Sequence, residues 1–188
     1  MTNYIILKKQ KFILENYSIV PIRFQDRYLI MNWRNEQFYH LRQEQLLTKD
    51  SQDIYFTNTV KKLFEEKYPE QILFSYLNGT ECIGYGGLVH INWADKNAEI
   101  SFIMKTELET FEFELHWKSF LTMINQIAKN ELCLIKTYTY AFDLRPRLYN
   151  VLEEVGYEQE ARLRNHKQID GKFVDVIIHS KIYEKNKI

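Results

Sequence analysis

The spacing of hydrophobic residues in the first third of the chain predicts one strand followed by two helices. Residues 17–23 form the predicted strand. Leu29, Ile30 and Trp33 then share one face of a short helix predicted over residues 26–33. A second helical unit is predicted over residues 48–68, with Pro69 ending it. Its apolar residues at helical spacing are Phe56, Val60, Leu63 and Phe64.

After Pro69 the hydrophobic period changes to two, which is the period of a half-buried strand. Residues 71–77 and 81–92 are two predicted strands, and Asn78-Gly79 between them is typical of a type I′ hairpin turn. A third strand over residues 98–104 follows a predicted turn at residues 93–96. The middle of the chain is therefore predicted to be an antiparallel meander.

Helical spacing returns in the next segment, which predicts a long amphipathic helix. The apolar face of this helix consists of Phe113, Trp117, Phe120, Leu121, Ile124 and Ile127. A strand over residues 134–142 and a helix over residues 147–155 are predicted after it. The chain thus alternates between strands and helices in its second half.

The C-terminal segment has the pattern of a β-hairpin. Gly156 is a predicted helix stop, and Asp170-Gly171 is a predicted tight turn between two strands. Val174, Val176 and Ile178 alternate along the returning strand. The complete order, β-α-α-β-β-β-α-β-α-β-β, predicts an α/β (α+β) fold with a mixed central sheet flanked by helices.

Composition narrows the class of protein. The 188 residues are 45% hydrophobic and 15% aromatic, enough to bury one core, and we expect a single domain over residues 1–188. Lys plus Arg and Asp plus Glu are balanced at 25 each, so neither nucleic acid nor a membrane surface is an expected partner. Cys82 and Cys133 lack metal or CxxC spacing and are expected to be buried thiols of a cytoplasmic protein. No segment approaches the length of a membrane span.

Two sequence segments resemble those of a known superfamily. Gly156-Tyr157-Glu158-Gln159-Glu160-Ala161-Arg162-Leu163-Arg164 with Asp170-Gly171-Lys172, and Asn97-Ala98-Glu99-Ile100-Ser101-Phe102, resemble the GNAT acetyltransferases. The resemblance covers residues 17–183 and is nearest to the branch of ribosomal-protein and nucleotide-amino-sugar N-acetyltransferases. It implies a GNAT-like domain that transfers an acetyl group from acetyl-CoA to an amine. It also implies that the pantetheine arm lies between the strands predicted at residues 98–104 and 134–142.

The resemblance fails at one motif. GNAT proteins usually bind the pyrophosphate of the co-substrate with a glycine-rich turn, R/Q-x-x-G-x-G/A, at a helix N-terminus. Residues 105–116 contain no glycine and four glutamates, at positions 107, 109, 112 and 114. Thr106 and Glu109 have the spacing of a capping box, which would occupy the amides that a phosphate needs.

Two interpretations of this segment remain open. The glutamates could only complement the helix dipole, in a fold that no longer binds acetyl-CoA. Alternatively, Arg145 and Arg147, at the start of the next helix, bind the phosphates in place of the missing turn. The same two arginines are also what a solvated helix start after Pro146 would contain.

Acetyl transfer to an amine requires a base, and Glu99 is the candidate. If residues 93–96 form a four-residue loop, Asn92 faces Asn97 and His90 faces Glu99 across the two strands. A carboxylate beside an imidazole can hold a proton near neutral pH, although the same pair could be an ordinary cross-strand ion pair. Backbone amides of Ile100, Ser101 and Phe102 are the expected contacts for the co-substrate and the thioester oxyanion.

The usual acid of the superfamily is a tyrosine four residues before the glycine that follows the helix, and this chain has Leu152 there. Tyr149 is the candidate acid in place of that tyrosine, with Tyr138 and Tyr140 as alternatives. The chain contains 13 tyrosines, so packing is the more common role for each one.

For the acceptor, Trp33, Arg34, Asn35 and Arg42 resemble a W-R-N…R stretch of nucleotide-amino-sugar acetyltransferases. Their guanidinium groups suit a diphosphate or a carboxylate, although surface residues over a packed helix would have the same pattern. The histidines have no metal-ligand spacing, so no metal is expected. The preferred acceptor is a small amino sugar or a nucleotide-linked amino sugar, bound by a monomer or homodimer. A protein N-terminus is second, and a non-catalytic ligand- or partner-binding module is the alternative.

Overall fold

The structure is a computed structural model and describes residues 3–183. Eight strands form one sheet in the order β1-β2-β3-β4-β5-β6-β8-β7. All neighbouring strands are antiparallel except β5 and β6, which are parallel. The strands are β1 Phe12–Leu14, β2 Tyr17–Pro21, β3 Ile72–Asn78, β4 Glu81–Asn92, β5 Asn97–Met104, β6 Lys136–Phe142, β7 Glu158–Ile169 and β8 Lys172–Ile182.

Helices cover both faces of this sheet. On one face lie α1 and a long helix in which α2 continues through a π-helical turn, Phe56–Val60, into α3. On the other face lie α5, followed by a π-helical turn at Ile127–Glu131, and α6. A short helix, α4, joins β5 to α5. The helices are α1 Arg27–Glu36, α2 Lys49–Tyr55, α3 Lys61–Leu63, α4 Thr106–Phe111, α5 Phe113–Gln126 and α6 Arg147–Glu154.

The centre of the sheet is buried on both faces, and β4 is packed especially closely. Ile72 to Leu77 of β3 are all buried, as are Cys82 to Leu88 of β4. A Cβ atom added at Gly87 would lie 2.0 Å from the carbonyl oxygen of Ile72, and one at Gly86 would lie 2.2 Å from that of Ser101. Only glycine allows the neighbouring backbones to approach this closely.

The sheet divides between β5 and β6. The two strands are paired at Asn97↔Lys136, Ala98↔Thr137 and Glu99↔Tyr138 only. Beyond Glu99, β5 continues along β4, whereas β6 continues along β8. The result is a V-shaped opening whose vertex lies at Glu99 and Tyr138.

Successive β5 residues contribute to opposite faces of the sheet around this opening, as expected for a strand. Phe102 stacks on Phe120 of α5, with ring centroids 4.1 Å apart. Ser101 lies against the opposite layer, where it lines a second cavity with residues of α1 and α2. The two faces of the opening therefore have different surroundings.

The predicted element order is present, with local differences. The β3–β4 turn consists of Gly79-Thr80 rather than Asn78-Gly79, because Asn78 and Glu81 are still paired. Of these two turn residues only Gly79 has a positive φ, of 59°, which fits a type II′ turn rather than type I′. The second helical unit ends at Leu63, before Pro69, and β1 was not predicted. The helix start indicated near Thr106 is present as α4, which is separate from α5. Cys82 is buried as expected, but Cys133 is exposed.

Candidate active site

A cavity of about 570 Å³ occupies the opening between β5 and β6. Its wall includes the β5 segment after the vertex, the facing part of β6, the start of α6 and the loop after α1. The lining residues are Arg34, His40, Leu41, Arg42, Glu70, Gln71, Val89, His90, Ile91, Glu99, Ile100, Ser101, Phe102, Trp117, Thr139, Tyr140, Ala141, Phe142, Arg145 and Leu148. Most of the residues predicted to be functional therefore face one cavity.

Glu99 is the buried carboxylate of this cavity, with 4% of its surface exposed. One carboxylate oxygen accepts a hydrogen bond from Arg42, whose side chain is 44% exposed at the mouth. The other oxygen faces His90, whose Nε2 is 4.0 Å away. Burial raises the pKa of Glu99, and the charges of Arg42 and His90 oppose that rise. Glu99 thus has the environment of a proton acceptor that works closer to neutral pH than an exposed glutamate.

His90 lies near Glu99, but not as the cross-strand partner that the sequence predicts. The predicted pairing of Asn92 with Asn97 is present, but Val89 rather than His90 lies opposite Glu99. A bulge interrupts the register between Val89 and Asn92, and His90 has a positive φ of 50° in it. The bulge turns the His90 side chain toward the cavity. Its imidazole lies near Glu99 even though the two residues are not cross-strand partners.

Ile100, Ser101 and Phe102 lie on the stretch of β5 that has left β6. Their pairing with β4 continues, at Ile100↔Leu88, Ser101↔Gly87 and Phe102↔Gly86. The opposite edge of the strand has no strand beside it and opens on the cavity. A ligand with its own amide groups can pair with such an edge as an added strand would.

The segment that lacks glycine is folded as α4, and it brings Glu109 inward. Glu109 is 5% exposed, and its carboxylate accepts a hydrogen bond from Arg145 at 3.0 Å. Arg147 lies 3.5 Å from the same oxygen. The two arginines proposed for phosphate binding are therefore paired with a carboxylate of the protein itself.

The predicted capping box in this segment is wrong. Lys105 is the N-cap of α4, and no side chain caps the helix there. Thr106 is the first helical residue, and its hydroxyl donates to Glu36 of α1. Because Lys105 is the N-cap, Glu109 lies one position beyond the residue that a capping box uses, and its side chain accepts from Arg145 instead.

His40 lies on the other side of Glu109, with Nε2 3.9 Å from the second carboxylate oxygen. Burial lowers the pKa of His40 to about 3, and the charge of Arg145 adds to this effect. The ring is therefore neutral at physiological pH and forms no ion pair with Glu109. The charges of the cluster are those of Arg145, Arg147 and Glu109.

The residues predicted to bind the acceptor have mixed surroundings. Trp33 is buried in the core. Arg34 donates to the hydroxyl of Tyr85 at 2.5 Å and to Gln43 at 2.9 Å, and it also lines the cavity. Asn35 is bonded to both backbone groups of Leu47 and holds the loop before α2. Of the four, Arg34 and Arg42 reach the cavity.

Tyr149 is not placed as an acid would be. Its hydroxyl donates to Asp143 at 2.8 Å, and it lies outside the cavity lining given above. Burial and the bond to Asp143 raise its pKa. Leu152, at the position of the usual tyrosine, is fully buried. Tyr140 lines the cavity beneath Arg42, whose guanidinium carbon is 4.8 Å from the ring centroid.

Several residues of the site gave no signal in the sequence. Glu70 and Gln71 reach the cavity from the segment before β3, and Trp117 and Leu148 reach it from α5 and α6. Thr139 of β6 also lines it, and its hydroxyl has no hydrogen-bond partner within residues 3–183. Of these residues, only Thr139 could have been indicated by strand alternation, that of residues 134–142.

In residues 3–183 no group of three or more His, Cys, Asp or Glu side chains could hold a metal ion. None of the helices described is long and apolar enough to cross a membrane.

The sequence profile of the acetyltransferase (GNAT) domain family matches residues 19–178. The chain therefore belongs to this family, and it is a GNAT-type N-acetyltransferase. No curated protein matches it.

Solved structures of the same fold are similar over most of the chain. The crystal structure of spermidine N-acetyltransferase from Vibrio cholerae in complex with CoA and spermine is 19% identical, with a TM-score of 0.78. The similar region covers 90% of this chain and 96% of that one. A dodecameric structure of the Vibrio cholerae enzyme in an intermediate state is 18% identical, with a TM-score of 0.73, and 90% and 95% of the two chains are covered. At these identities the likeness shows the fold, and the amino-sugar branch implied by the sequence is not identified by it.

Proposed function

We propose that the protein transfers an acetyl group from acetyl-CoA to the primary amine of a small molecule. The observation that carries this proposal is the position of Glu99, a buried carboxylate at the vertex where β5 and β6 separate. A base at this point can meet an amine that enters from the cavity mouth. It also lies next to the open backbone edge where a thioester would be held.

Glu99 would act as the general base. Its oxygen bonded to Arg42 is already occupied, so the oxygen that faces His90 is the one available to an amine. The 4.0 Å between that oxygen and His90 Nε2 exceeds hydrogen-bond distance, and it leaves the carboxylate accessible from the cavity. The raised pKa makes Glu99 a stronger base than an exposed glutamate.

The residues present fit acetyl-CoA in two places. The open edge of β5 at Ile100, Ser101 and Phe102 would hold the pantetheine amides, and a backbone amide there would stabilise the oxyanion. Arg145 and Arg147 both lie close to one carboxylate oxygen of Glu109, and this supports the proposal that the pair binds phosphate oxygens. When bound, acetyl-CoA supplies a thioester carbonyl that an amine can attack.

A polyamine is the first acceptor class to test. The Vibrio cholerae structure similar to this chain is a spermidine N-acetyltransferase with spermine bound. In this chain Glu70 and Glu99 line the same cavity, so a second ammonium group of the acceptor would find a carboxylate partner. An amino sugar is the second class, because Arg34 and Arg42 also line the cavity and suit a phosphate or carboxylate on the sugar.

The test is an acetylation assay with acetyl-CoA and matched amines: spermidine, glucosamine and a nucleotide-linked amino sugar. We expect Glu99→Gln to reduce turnover by about 100-fold or more, because the amide cannot accept the proton. Glu81→Gln, at an exposed glutamate of the β3–β4 hairpin, is the control and should keep full turnover. If no amine is acetylated and acetyl-CoA leaves the melting temperature unchanged, the protein is a non-catalytic binding module instead.

The assembly state stays a prediction. Sequence analysis favours a monomer or homodimer, whereas the Vibrio cholerae enzyme is described as a dodecamer. Light scattering of the purified chain distinguishes these states.

A further inference from the structure

Two neighbouring polar side chains at the cavity are buried without a partner. Thr139 Oγ1 and both ring nitrogens of His179 have no hydrogen bond within residues 3–183. Thr139 is 3% exposed and His179 is 1% exposed. Buried polar groups in folded proteins almost always have a partner, so a pair left open beside a cavity indicates a place where a ligand supplies one.

The two side chains lie together because of the strand register. Thr139 of β6 and His179 of β8 are directly opposite each other, which places them on the same face with Cβ atoms about 5 Å apart. Thr139 lines the cavity, and His179 lies behind it under α6, stacked on Tyr149 with ring centroids 5.1 Å apart. Burial lowers the pKa of His179, and only the charge of Glu153 opposes this. The neutral ring has one nitrogen that can donate and one that can accept.

Thr139 and Glu99 lie at the vertex on opposite faces of the sheet. Tyr138 is the last β6 residue paired with β5, and Thr139 follows it. Thr139 shares its face with Thr137, whose hydroxyl is bonded to Tyr157, itself bonded to Asn125 of α5. Glu99 shares its face with Ser101, which lies toward α1 and α2. A group held between the two strands would have the carboxylate on one side and the hydroxyl on the other.

We propose that Thr139 is a catalytic residue that stabilises the departing thiolate, and that His179 is a positioning residue behind it. This inference rests on the acetyl transfer proposed above. Glu99 takes the proton of the amine as the C–N bond forms. Thr139 donates a hydrogen bond from its hydroxyl to the sulfur as the C–S bond breaks and both electrons remain on sulfur. His179 lies directly opposite Thr139 and would donate an N–H to its oxygen once the ligand is bound, a bond that residues 3–183 do not form in the present structure. No proton leaves Thr139, and the thiolate takes a proton from solvent after release.

Other hydroxyl groups are less suited to this role. The cavity lining contains three hydroxyl side chains, Ser101, Thr139 and Tyr140. Ser101 and Tyr140 lie on the Glu99 face, Tyr140 beneath Arg42. Tyr149 donates to Asp143, and Leu152 has no hydroxyl. Among the described residues, Thr139 therefore provides the hydroxyl group of the cavity lining on the face opposite Glu99, where the leaving thiolate would lie.

A binding experiment tests the contact without turnover. The thiolate absorbance of bound CoA gives the pKa of its thiol in wild type, Thr139→Val and Thr139→Ser. We expect the thiol pKa of bound CoA to be about one unit lower in wild type and Thr139→Ser than in Thr139→Val. This corresponds to a tenfold change in thiolate population. Wild type and Thr139→Ser should also bind CoA more tightly than desulfo-CoA at alkaline pH, and Thr139→Val should not. Equal thiol pKa values in wild type and Thr139→Val would overturn the proposal.

Kinetics provide the second test. Thr139→Val should reduce kcat by about 10- to 100-fold with the KM of the amine unchanged, and Thr139→Ser should restore most of it. His179→Phe keeps the stacked ring but loses the N–H, so its kcat should fall less, and the double variant should be no slower than Thr139→Val. Thr122→Val, at an α5 hydroxyl bonded to the Lys118 carbonyl, is the control. If the wild type is active and Thr139→Val is equally active, this inference alone is wrong. If the wild type is inactive and binds no CoA, the proposed acetyl transfer itself is wrong.

Discussion

The carboxylate of Glu109 accepts a hydrogen bond from Arg145 at 3.0 Å, across 36 residues of sequence. The pair joins α4, which replaces a glycine-rich turn, to the start of α6. Guanidinium groups bind carboxylate and phosphate oxygens through the same contacts. Glu109 therefore occupies part of the surface that we propose for the phosphates of the co-substrate, and its carboxylate is the partner of both arginines in this structure.

This arrangement predicts opposite effects on affinity and stability for Glu109→Gln. Removing the negative charge should tighten acetyl-CoA binding by about five- to tenfold, because an opposing charge near the phosphates costs on the order of 1 kcal/mol. The gain should shrink as salt is raised. At the same time the variant should be less stable by about 3 kcal/mol, because Arg145 loses the carboxylate partner of a buried pair.

Isothermal titration at two ionic strengths and urea unfolding measure the two effects. Glu107→Gln, at an exposed glutamate of the same helix, is the matched control and should change neither quantity appreciably. Weaker acetyl-CoA binding by Glu109→Gln would contradict the expectation and would show that Glu109 is needed to orient the arginines.

Arg42 should control the pH range of activity through Glu99. Burial raises the pKa of Glu99, and the neighbouring charge of Arg42 lowers it. In Arg42→Gln the effect of burial is opposed by His90 alone, so the pKa of Glu99 rises and the acidic limb of the kcat/KM profile should move to higher pH. His90→Gln should move the limb in the same direction by a smaller amount, since Arg42 is the larger influence. An acidic limb that stays in place in Arg42→Gln would remove Glu99 as the titrating base.

His40 should make the protein less stable in acid. Its pKa is about 3 in the folded state, below the value of 6.5 for an unperturbed histidine. Between these values the unfolded chain binds a proton that the folded protein does not, so the free energy of unfolding rises with pH across this window. The stability that the neutral His40 contributes to the folded protein is fully present above pH 6.5, and it is lost as the pH falls toward 3.

The comparison with His40→Gln isolates this contribution. The slope of the unfolding free energy between about pH 4 and 6 should be shallower in the variant by up to about 1.4 kcal/mol per pH unit. Urea unfolding at several pH values measures it. If the unfolding free energies of wild type and variant depend on pH in the same way, the expectation is wrong, and His40 is protonated in the folded protein without loss of stability.

Gly87 should be intolerant of any side chain. A Cβ atom at this position would lie 2.0 Å from the Ile72 carbonyl oxygen, and backbone of a central strand cannot move away cheaply. Gly87→Ala should therefore lower stability by about 3 kcal/mol or more. Gly171→Ala is the control, because no atom lies within 4 Å of its added Cβ and its φ of 77° imposes backbone strain alone. Thermal unfolding should place the Gly171 variant about 1 kcal/mol below wild type, and similar losses for both variants would contradict this account.

The parts of the fold that local sequence determines were predictable. Asp170-Gly171 specifies its turn because both residues tolerate a positive φ, and the structure has φ of 48° and 77° there. The long helix from Phe113 follows from its apolar spacing. The bulge at His90 could not be derived in this way. It adds a residue to one strand without changing the composition of either, and it shifts the partner of Glu99 to Val89.

The sequence could predict a site residue only where the chemical type of that residue alone suggests its role. Glu99 was proposed as the base because a carboxylate beside an imidazole can hold a proton near neutral pH, and the structure places both residues at the cavity. Glu109 was interpreted as a helix-end charge because its partners, Arg145 and Arg147, come from a distant element. Thr139 was missed for a different reason. A threonine in a strand carries no chemical signal until its burial and its missing partner are known.

The short pairing of β5 with β6 has a mechanical consequence. Three residue pairs form the seam between the block of β1 to β5 and the block of β6, β8 and β7. Any spreading of the two blocks takes place beyond Glu99↔Tyr138, the last pair of the seam. Glu99 is held by β4 on one side and by β6 on the other. The proposed base therefore lies at the last paired position of the seam, where strand pairing on both sides fixes its backbone.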